Sequence, residues 1–412
     1  MTVPDWLLQR LTAAGGRVPF RTYMQWVLHD PEHGAYGAGR LRIGPAGDFV
    51  TAPSMGGAMA EFLAAQVASW LEQLDRAEPQ AHPAGPGEVA AEERLSLVET
   101  GPGEGDLADQ LVRALLLRQP DRWQERLELV LIEPNPGMER RQRQRLEGCP
   151  VPVRWCRFDD LASSPVQGVV LAHEVLDALA VERVVSGGER WCRQEVLLTG
   201  QPAPRLELTR GAELTSDDPA LALLTRLGLA VPGPGRPHGW CSEVHVELTP
   251  WLGACGRALR RGQLLVIDYT KDAARYYAPL AREGTLLAYR QQRAHGDPLQ
   301  DPGHCDLTAH LCSDSLSLAA ADAGFQDLGS TSQGEALLAL GLSQALHALQ
   351  QPSGPDLTER LRRREELLRL VDPHALGGFR WHAFARSPQQ RQPEIPGEAA
   401  DPPLFLREPA GP

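Results

Sequence analysis

The most constraining stretch of this chain is Leu95-Ser96-Leu97-Val98-Glu99-Thr100-Gly101-Pro102-Gly103-Glu104-Gly105-Asp106-Leu107, an apolar run passing through a glycine loop into an amphipathic segment. A short apolar run bounded by glycines reads as a strand, and the helical spacing after it reads as a helix over 107–118. Glycine admits backbone angles closed to other residues, and a helix N-terminus leaves N–H groups unpaired, so this junction suits a nucleotide-like ligand. The alternation continues: strands are predicted at 95–98, 127–132, 151–154, 168–172 and 263–267, and helices at 137–146 and 250–260. Such a pattern specifies an α/β fold, a parallel sheet covered by helices.

Around this core the chain divides into four. Residues 1–88 read as a helical and lid region, with Tyr23, Trp26 and Val27 on one helix face, a second helical pattern at 57–74, and a Gly- and Pro-rich loop from Pro31 to Pro53 between them. The breaker-rich stretch 77–87 reads as a linker. Residues 89–345 form the core, interrupted at 182–246 by an insertion in which Val181–Val185, Ser186-Gly187-Gly188 and Trp191–Leu198 read as a hairpin. A C-terminal helical region at 346–386 and a Pro-rich tail from 387 to 412, expected to be disordered, complete the chain.

Composition excludes several functions. The formal net charge is −12, so there is no general positive field for nucleic acid. Lys271 is the single lysine, and no glycine loop precedes it, which excludes a P-loop NTPase. The seven cysteines are scattered without a Cys-x-x-Cys pair, which fits a reducing compartment. The N-terminus shows no basic segment leading into an apolar one, and no apolar run reaches membrane-spanning length. A cytoplasmic protein is expected.

Two ligand classes compete for the glycine loop, because Gly103-x-Gly105-x-x-Ala108 also satisfies the loose dinucleotide fingerprint. Electrostatics separates them. Glu99 closes the strand, and Glu104 and Asp106 lie in the loop, a poor setting for a pyrophosphate and a favourable one for the sulfonium and ammonium of S-adenosylmethionine. Glu133 ends the next strand, placed to accept hydrogen bonds from ribose hydroxyls.

At this point the residues resemble a known family. Glu99-x-Gly101-x-Gly103-x-Gly105 is similar to motif I of class I S-adenosylmethionine-dependent methyltransferases, and the surrounding blocks resemble the MidA family. Those blocks are Pro31-x-x-Gly34-x-Tyr36, Gly47-Asp48-Phe49, Glu174-x-x-Asp177-Ala178-Leu179, Ile267-Asp268-Tyr269, Gly284-Thr285-Leu286 and Asp301-Pro302-Gly303-x-x-Asp306-Leu307-Thr308. The resemblance implies a Rossmann-like seven-stranded sheet and methyl transfer from S-adenosylmethionine to a protein arginine. It further implies a role in assembling respiratory complex I, with a 49-kDa-type subunit of an NADH dehydrogenase complex as the partner. It assigns cofactor binding to Glu99, Gly101, Gly103, Gly105, Glu133, Gly47, Asp48 and His173. Gly47-Asp48-Phe49 and Gly284-Thr285-Leu286 are expected to meet over the cofactor as a lid. The chain departs from the family pattern in having His173, Ala180, Thr270 and Leu287 where Asn, Pro, Gly and Arg are usual.

Glu174 and Asp177 follow the fourth strand, where an α/β sheet places acceptor-binding groups. An arginine acceptor is a permanent cation, so paired carboxylates fix it and take the released proton. Asp268 and Tyr269, at the end of the fifth strand, are the other candidate catalytic residues. His173-Glu174-x-x-Asp177 lacks the second histidine of a zinc motif, and no metal is expected. Two alternatives stay open: a dinucleotide-dependent oxidoreductase, and an assembly factor that keeps the fold without transfer activity.

Overall fold

A computed structural model describes residues 3–76, 94–200, 202–351, 356–387 and 402–409. Its centre is a seven-stranded sheet whose strands we number β1 (Leu95–Thr100), β2 (Leu127–Ile132), β3 (Val153–Cys156), β4 (Val166–His173), β5 (Leu259–Asp268), β6 (Gln326–Ser332) and β7 (Arg380–Arg386). The spatial order is β3-β2-β1-β4-β5-β7-β6. The first five run parallel, and β7 enters antiparallel to both β5 and β6. This is a doubly wound sheet whose strand order reverses between β1 and β4, the place where such folds bind ligands.

Alternation along each strand feeds two apolar layers. Leu95, Leu97, Leu129, Leu131, Val169, Leu171, Leu265 and Ile267 join one core, and Val98, Val130, Val170, Ala172, Leu264 and Val266 join the other. Being buried on both faces, these strands read as continuous apolar runs. The main helices are α1 (Asp5–Ala13), α2 (Phe20–His29), α3 (Ala58–Arg76), α4 (Asp106–Arg118), α5 (Pro136–Arg145), α6 (Leu248–Ala258), α7 (Ser313–Asp322) and α8 (Leu357–Leu370). α3, α4 and α8 cover the first face, and α6 and α7 the second.

The insertion is larger than a hairpin. Glu182–Ser186, Trp191–Thr199, Arg205–Glu213 and Cys241–Val244 form a second sheet, joined by Arg17–Pro19 from the N-terminal region. Two expectations for the C-terminal part are corrected. The region 346–386 is not wholly helical, because β7 sits within the core sheet, where Trp381 and Ala383 face one apolar layer and Phe384 the other. The tail expected to be disordered has residues 388–401 outside the described ones, but 402–409 dock on the core. Phe405 is buried between Trp70 and Trp381, at centroid distances of 6.3 and 5.4 Å. The linker at 77–87 also lies outside the described residues.

Candidate active site

A cavity of about 310 Å³ opens at the carboxyl ends of β1, β2 and β4. The glycine loop forms its floor. Gly101 and Gly103 adopt φ of +55° and +56°, and a Cβ would lie 2.7 Å from Val175 Cγ2 at Gly101 and 2.8 Å from Ile43 Cδ1 at Gly103. Both positions therefore favour glycine for conformation, and at Gly103 a side chain would also have to displace the tip of Ile43. Gly105 takes φ +87° before α4 but does not line the cavity.

Glu99, Glu133 and His173 all reach the cavity. Burial, followed by repulsion from Asp106, pushes the Glu99 carboxyl up to about 8, with partial relief from the Ala108 N–H. The Glu133 carboxylate is held by Asn135 N at 2.8 Å, Asn135 Nδ2 at 2.9 Å and Gln142 Nε2 at 2.8 Å. Gln142 also donates to Gly103 O at 2.9 Å and accepts from Trp155 Nε1 at 3.1 Å. This fully buried glutamine thus fastens the glycine loop to the end of β2. His173 is kept neutral by burial, its pKa lowered to about 4.

The loop is less acidic than its sequence suggests. Glu104 pairs with Arg141 at 3.0 Å and Asp106 with Arg145 at 2.7 Å, both cations supplied by α5. Glu99 is left as the buried acid facing the cavity from β1.

Gly47 and Asp48 do not line the cavity. Asp48 accepts from Arg42 N at 3.0 Å and Gln291 N at 3.1 Å, and its carbonyl accepts from Gln292 N at 2.7 Å. These contacts strap the loop to the turn at 291–292, while neighbouring Ile43 and Phe49 supply the cavity wall. The other expected lid segment lies elsewhere: Thr285 N donates to the buried Glu243 carboxylate at 2.8 Å, against the second sheet.

Beside the cavity lies a group of carboxylates. Glu174, which lines the cavity, takes φ +51°, a strained value for a non-glycine residue. Its carboxyl is raised well above the ordinary range by burial and by Asp177 and Asp306. Asp177 is raised by burial, and Asp268 by burial and then by Asp177. The candidate residues divide here. Asp268 accepts from Leu176 N and Asp177 N, each at 3.2 Å, and from Tyr269 N at 2.8 Å, so it holds the loop after β4 against β5. Tyr269 packs on Phe379 at 3.8 Å between centroids and stacks on His310 at 5.7 Å. Neither lines the cavity.

Sequence reasoning missed His29, Tyr36 and Asn135, which line the cavity, and Gln142, which does not line it but ties Glu133 to Gly103. Tyr36 stood in a quoted block; a lone Gln or His on a helix gives no such signal. Among the described residues, no group of three or more His, Cys, Asp or Glu side chains is arranged to hold a metal ion.

The sequence profile of an S-adenosyl-L-methionine-dependent methyltransferase family, Methyltransf_28, matches residues 62–331. The chain belongs to this family. Among solved structures, a Burkholderia thailandensis protein bound to S-adenosyl-homocysteine is 29% identical, with a TM-score of 0.77, over 92% of this chain and 90% of its own. The protein arginine methyltransferase NDUFAF7, mitochondrial, of Homo sapiens is 25% identical over 91% of this methyltransferase and 81% of its own length. The homolog named so in Drosophila melanogaster is 26% identical over 72% of this chain, which spans 65% of the fly protein. The cofactor of the methyltransferase is S-adenosylmethionine, and the lining suits it: Gly101 and Gly103 admit close approach, and the buried carboxyls of Glu99 and Glu133 reach the cavity. The expectation of a cytoplasmic protein is corrected, since these fly and human relatives are named as mitochondrial proteins.

Proposed function

We propose that this methyltransferase transfers a methyl group to arginine side chains of a protein, and that the 49-kDa-type subunit of an NADH dehydrogenase complex is its substrate. The observation carrying this reading is the set of buried carboxylates beside the cavity, Glu174 and Asp177 foremost: burial raises both, repulsion from Asp177 and Asp306 adds to it at Glu174, and no cation is among the causes. Buried charges of one sign are costly unless a partner arrives. A guanidinium brings a fixed positive charge and five N–H donors, which match several carboxylate oxygens at once. The relatives named protein arginine methyltransferase support the same acceptor.

When bound, S-adenosylmethionine supplies a methyl group on a cationic sulfur. Glu99 offers a carboxylate to the cationic amino acid part, and Glu133, oriented by Asn135 and Gln142, accepts from the ribose. Glu174 and Asp177 hold the guanidinium, localise its charge on the far nitrogens and accept the proton released as the near nitrogen is alkylated. Ile43 and Phe49 exclude water from the cavity. Placement of the nucleophile is the principal contribution of the protein to such a displacement.

The test is Asp177→Ala, assayed with methyl-labelled S-adenosylmethionine and the purified 49-kDa-type subunit. Binding of S-adenosylhomocysteine should stay within about twofold of the parent, because Asp177 is outside the cavity lining, while label incorporation falls by roughly a hundredfold or more. Equal labelling by variant and parent would remove Asp177 from this role, and an unlabelled subunit with active parent enzyme would remove the proposed substrate.

A further inference from the structure

Asp306 belongs to a short strand, Asp306–Thr308, that pairs antiparallel with Leu287–Arg290, placing Asp306 opposite Tyr289. The end of that strand is tied to the acceptor side of the core, since Ala309 N donates to Asp177 O at 3.0 Å. Asp306 is 3% exposed, and it repels both Asp177 and Glu174. Tyr36, from the Pro31–Pro53 loop, lines the cofactor cavity and faces Asp306 as a hydrogen-bond donor.

The contrast with Asp268 is informative. Both aspartates are buried in the same cluster, yet Asp268 has its oxygens occupied by three backbone N–H groups. Asp306 Oδ1 is buried without a hydrogen-bond partner, and Glu174 Oε1, on a side chain only 9% exposed, also makes none, although the neutral His173 Nε2 lies 3.4 Å from it. Buried polar atoms in folded proteins are nearly always paired, so two open carboxylate oxygens in one cluster mark the place of a donor that arrives from outside. Each comes from a different element, an arrangement suited to the wide planar fork of a guanidinium rather than to the compact head of an ammonium. Tyr36, Tyr269 and Tyr289 all sense the charge of this cluster, putting aromatic surface beside it, on which a guanidinium stacks.

We infer that Asp306, positioned by Tyr36, completes the acceptor pocket from outside the core sheet and makes it selective for a guanidinium over an ammonium. The inference rests on the arginine reading above and extends it to two residues, Tyr36 from the Pro31–Pro53 loop and Asp306 from the short strand Asp306–Thr308.

The test uses the full chain saturated with S-adenosylhomocysteine, with ethylguanidine and ethylammonium as probes and thermal unfolding at pH 8 as the readout. Ethylguanidine should raise the parent's unfolding temperature and ethylammonium should not. Asp306→Asn should need roughly tenfold more ethylguanidine for the same shift, the ratio expected for losing one charge-assisted hydrogen bond, and its response to S-adenosylhomocysteine should match the parent's. Without ligand, Asp306→Asn should unfold at a higher temperature than the parent at pH 8, because it relieves repulsion, whereas an aspartate of purely structural importance would lower it. Should that variant fail to fold, Tyr36→Phe carries the test, with a smaller loss of ethylguanidine response in the same direction. Responses equal to the parent's in the folded variants would overturn the assignment while leaving arginine as acceptor. A parent that ignores ethylguanidine would overturn the arginine reading and this assignment with it.

Discussion

At the scale of single residues, the site depends on atoms whose absence or charge is the point. Gly103 holds φ +56°, which a β-branched side chain resists, and a side chain there would push Ile43, whose Cδ1 is 2.8 Å from a would-be Cβ, and extend into the cavity wall. Gly103→Val should therefore abolish cofactor binding. The parent, at about 100 times the dissociation constant of S-adenosylhomocysteine, should gain roughly 2.7 kcal/mol in a thermal-shift series, and the variant should gain nothing. A variant that still responds would show that the loop does not cradle the ligand. The motif glycines and Glu99 were legible because they lie together in sequence. Gln142 and Asp306 were not, because their importance comes from contacts made across the fold: Gln142 with Gly103 and Trp155, and Asp306 with Tyr36. Asp306 stands in a block that resembles the family, but nothing near it in the chain points to the carboxylate cluster it joins, and nothing near Gln142 distinguishes it from a solvated polar side chain.

At the scale of elements, the outer segments hold the site in place. α8 supplies Glu366, whose carboxylate accepts from Ala58 N at 2.8 Å at the start of α3 and pairs with Arg363 at 3.0 Å. A carboxylate there satisfies an unpaired helix N–H and complements the helix dipole. Glu366→Ala should cost about 1–3 kcal/mol in denaturant unfolding, the range for removing a charged partner from a buried donor, with little change in cofactor affinity, since no residue of α8 lines the cavity. The buried parallel strands were readable as apolar runs, and 127–132 matches its prediction residue for residue. The strand expected at 151–154 lies two residues later, at 153–156, because β3 is a half-exposed edge and its alternation is weak. β6, Gln-Asp-Leu-Gly-Ser-Thr-Ser, carries almost no apolar signal, being an exposed edge paired on one side only. β7 pairs across the sheet with β5, more than a hundred residues away, a contact that no local pattern announces.

At the scale of the whole molecule, the fold bears an electrostatic cost that its ligands relieve. Burial raises Glu99 and Asp306 to about 8, and Asp177, Glu174 and Asp268 are raised as well. A carboxyl with a raised native pKa keeps its proton while the unfolded chain has lost it, so stability falls as pH rises through the native value. Burial also lowers His173, His310 and His382 to about 4, which opposes this trend only below about 6.5, where the unfolded histidines protonate. The ligand-free protein should therefore lose stability steadily between about pH 6.5 and 8.5, and S-adenosylmethionine should stabilise it more at the upper end, where Glu99 must ionise to meet the cation. Unfolding temperatures measured across that range, with and without cofactor, check both statements; a flat ligand-free profile would contradict them.

The central claim is that uncompensated buried carboxylates beside a cofactor cavity select a cationic guanidinium as methyl acceptor. The most direct measurement is complete hydrolysis of a protein labelled with this enzyme and methyl-labelled S-adenosylmethionine, followed by separation of the amino acids. The label should travel with N-methylated arginine. Label found on lysine, on a carboxyl ester or on a hydroxyl side chain would contradict it.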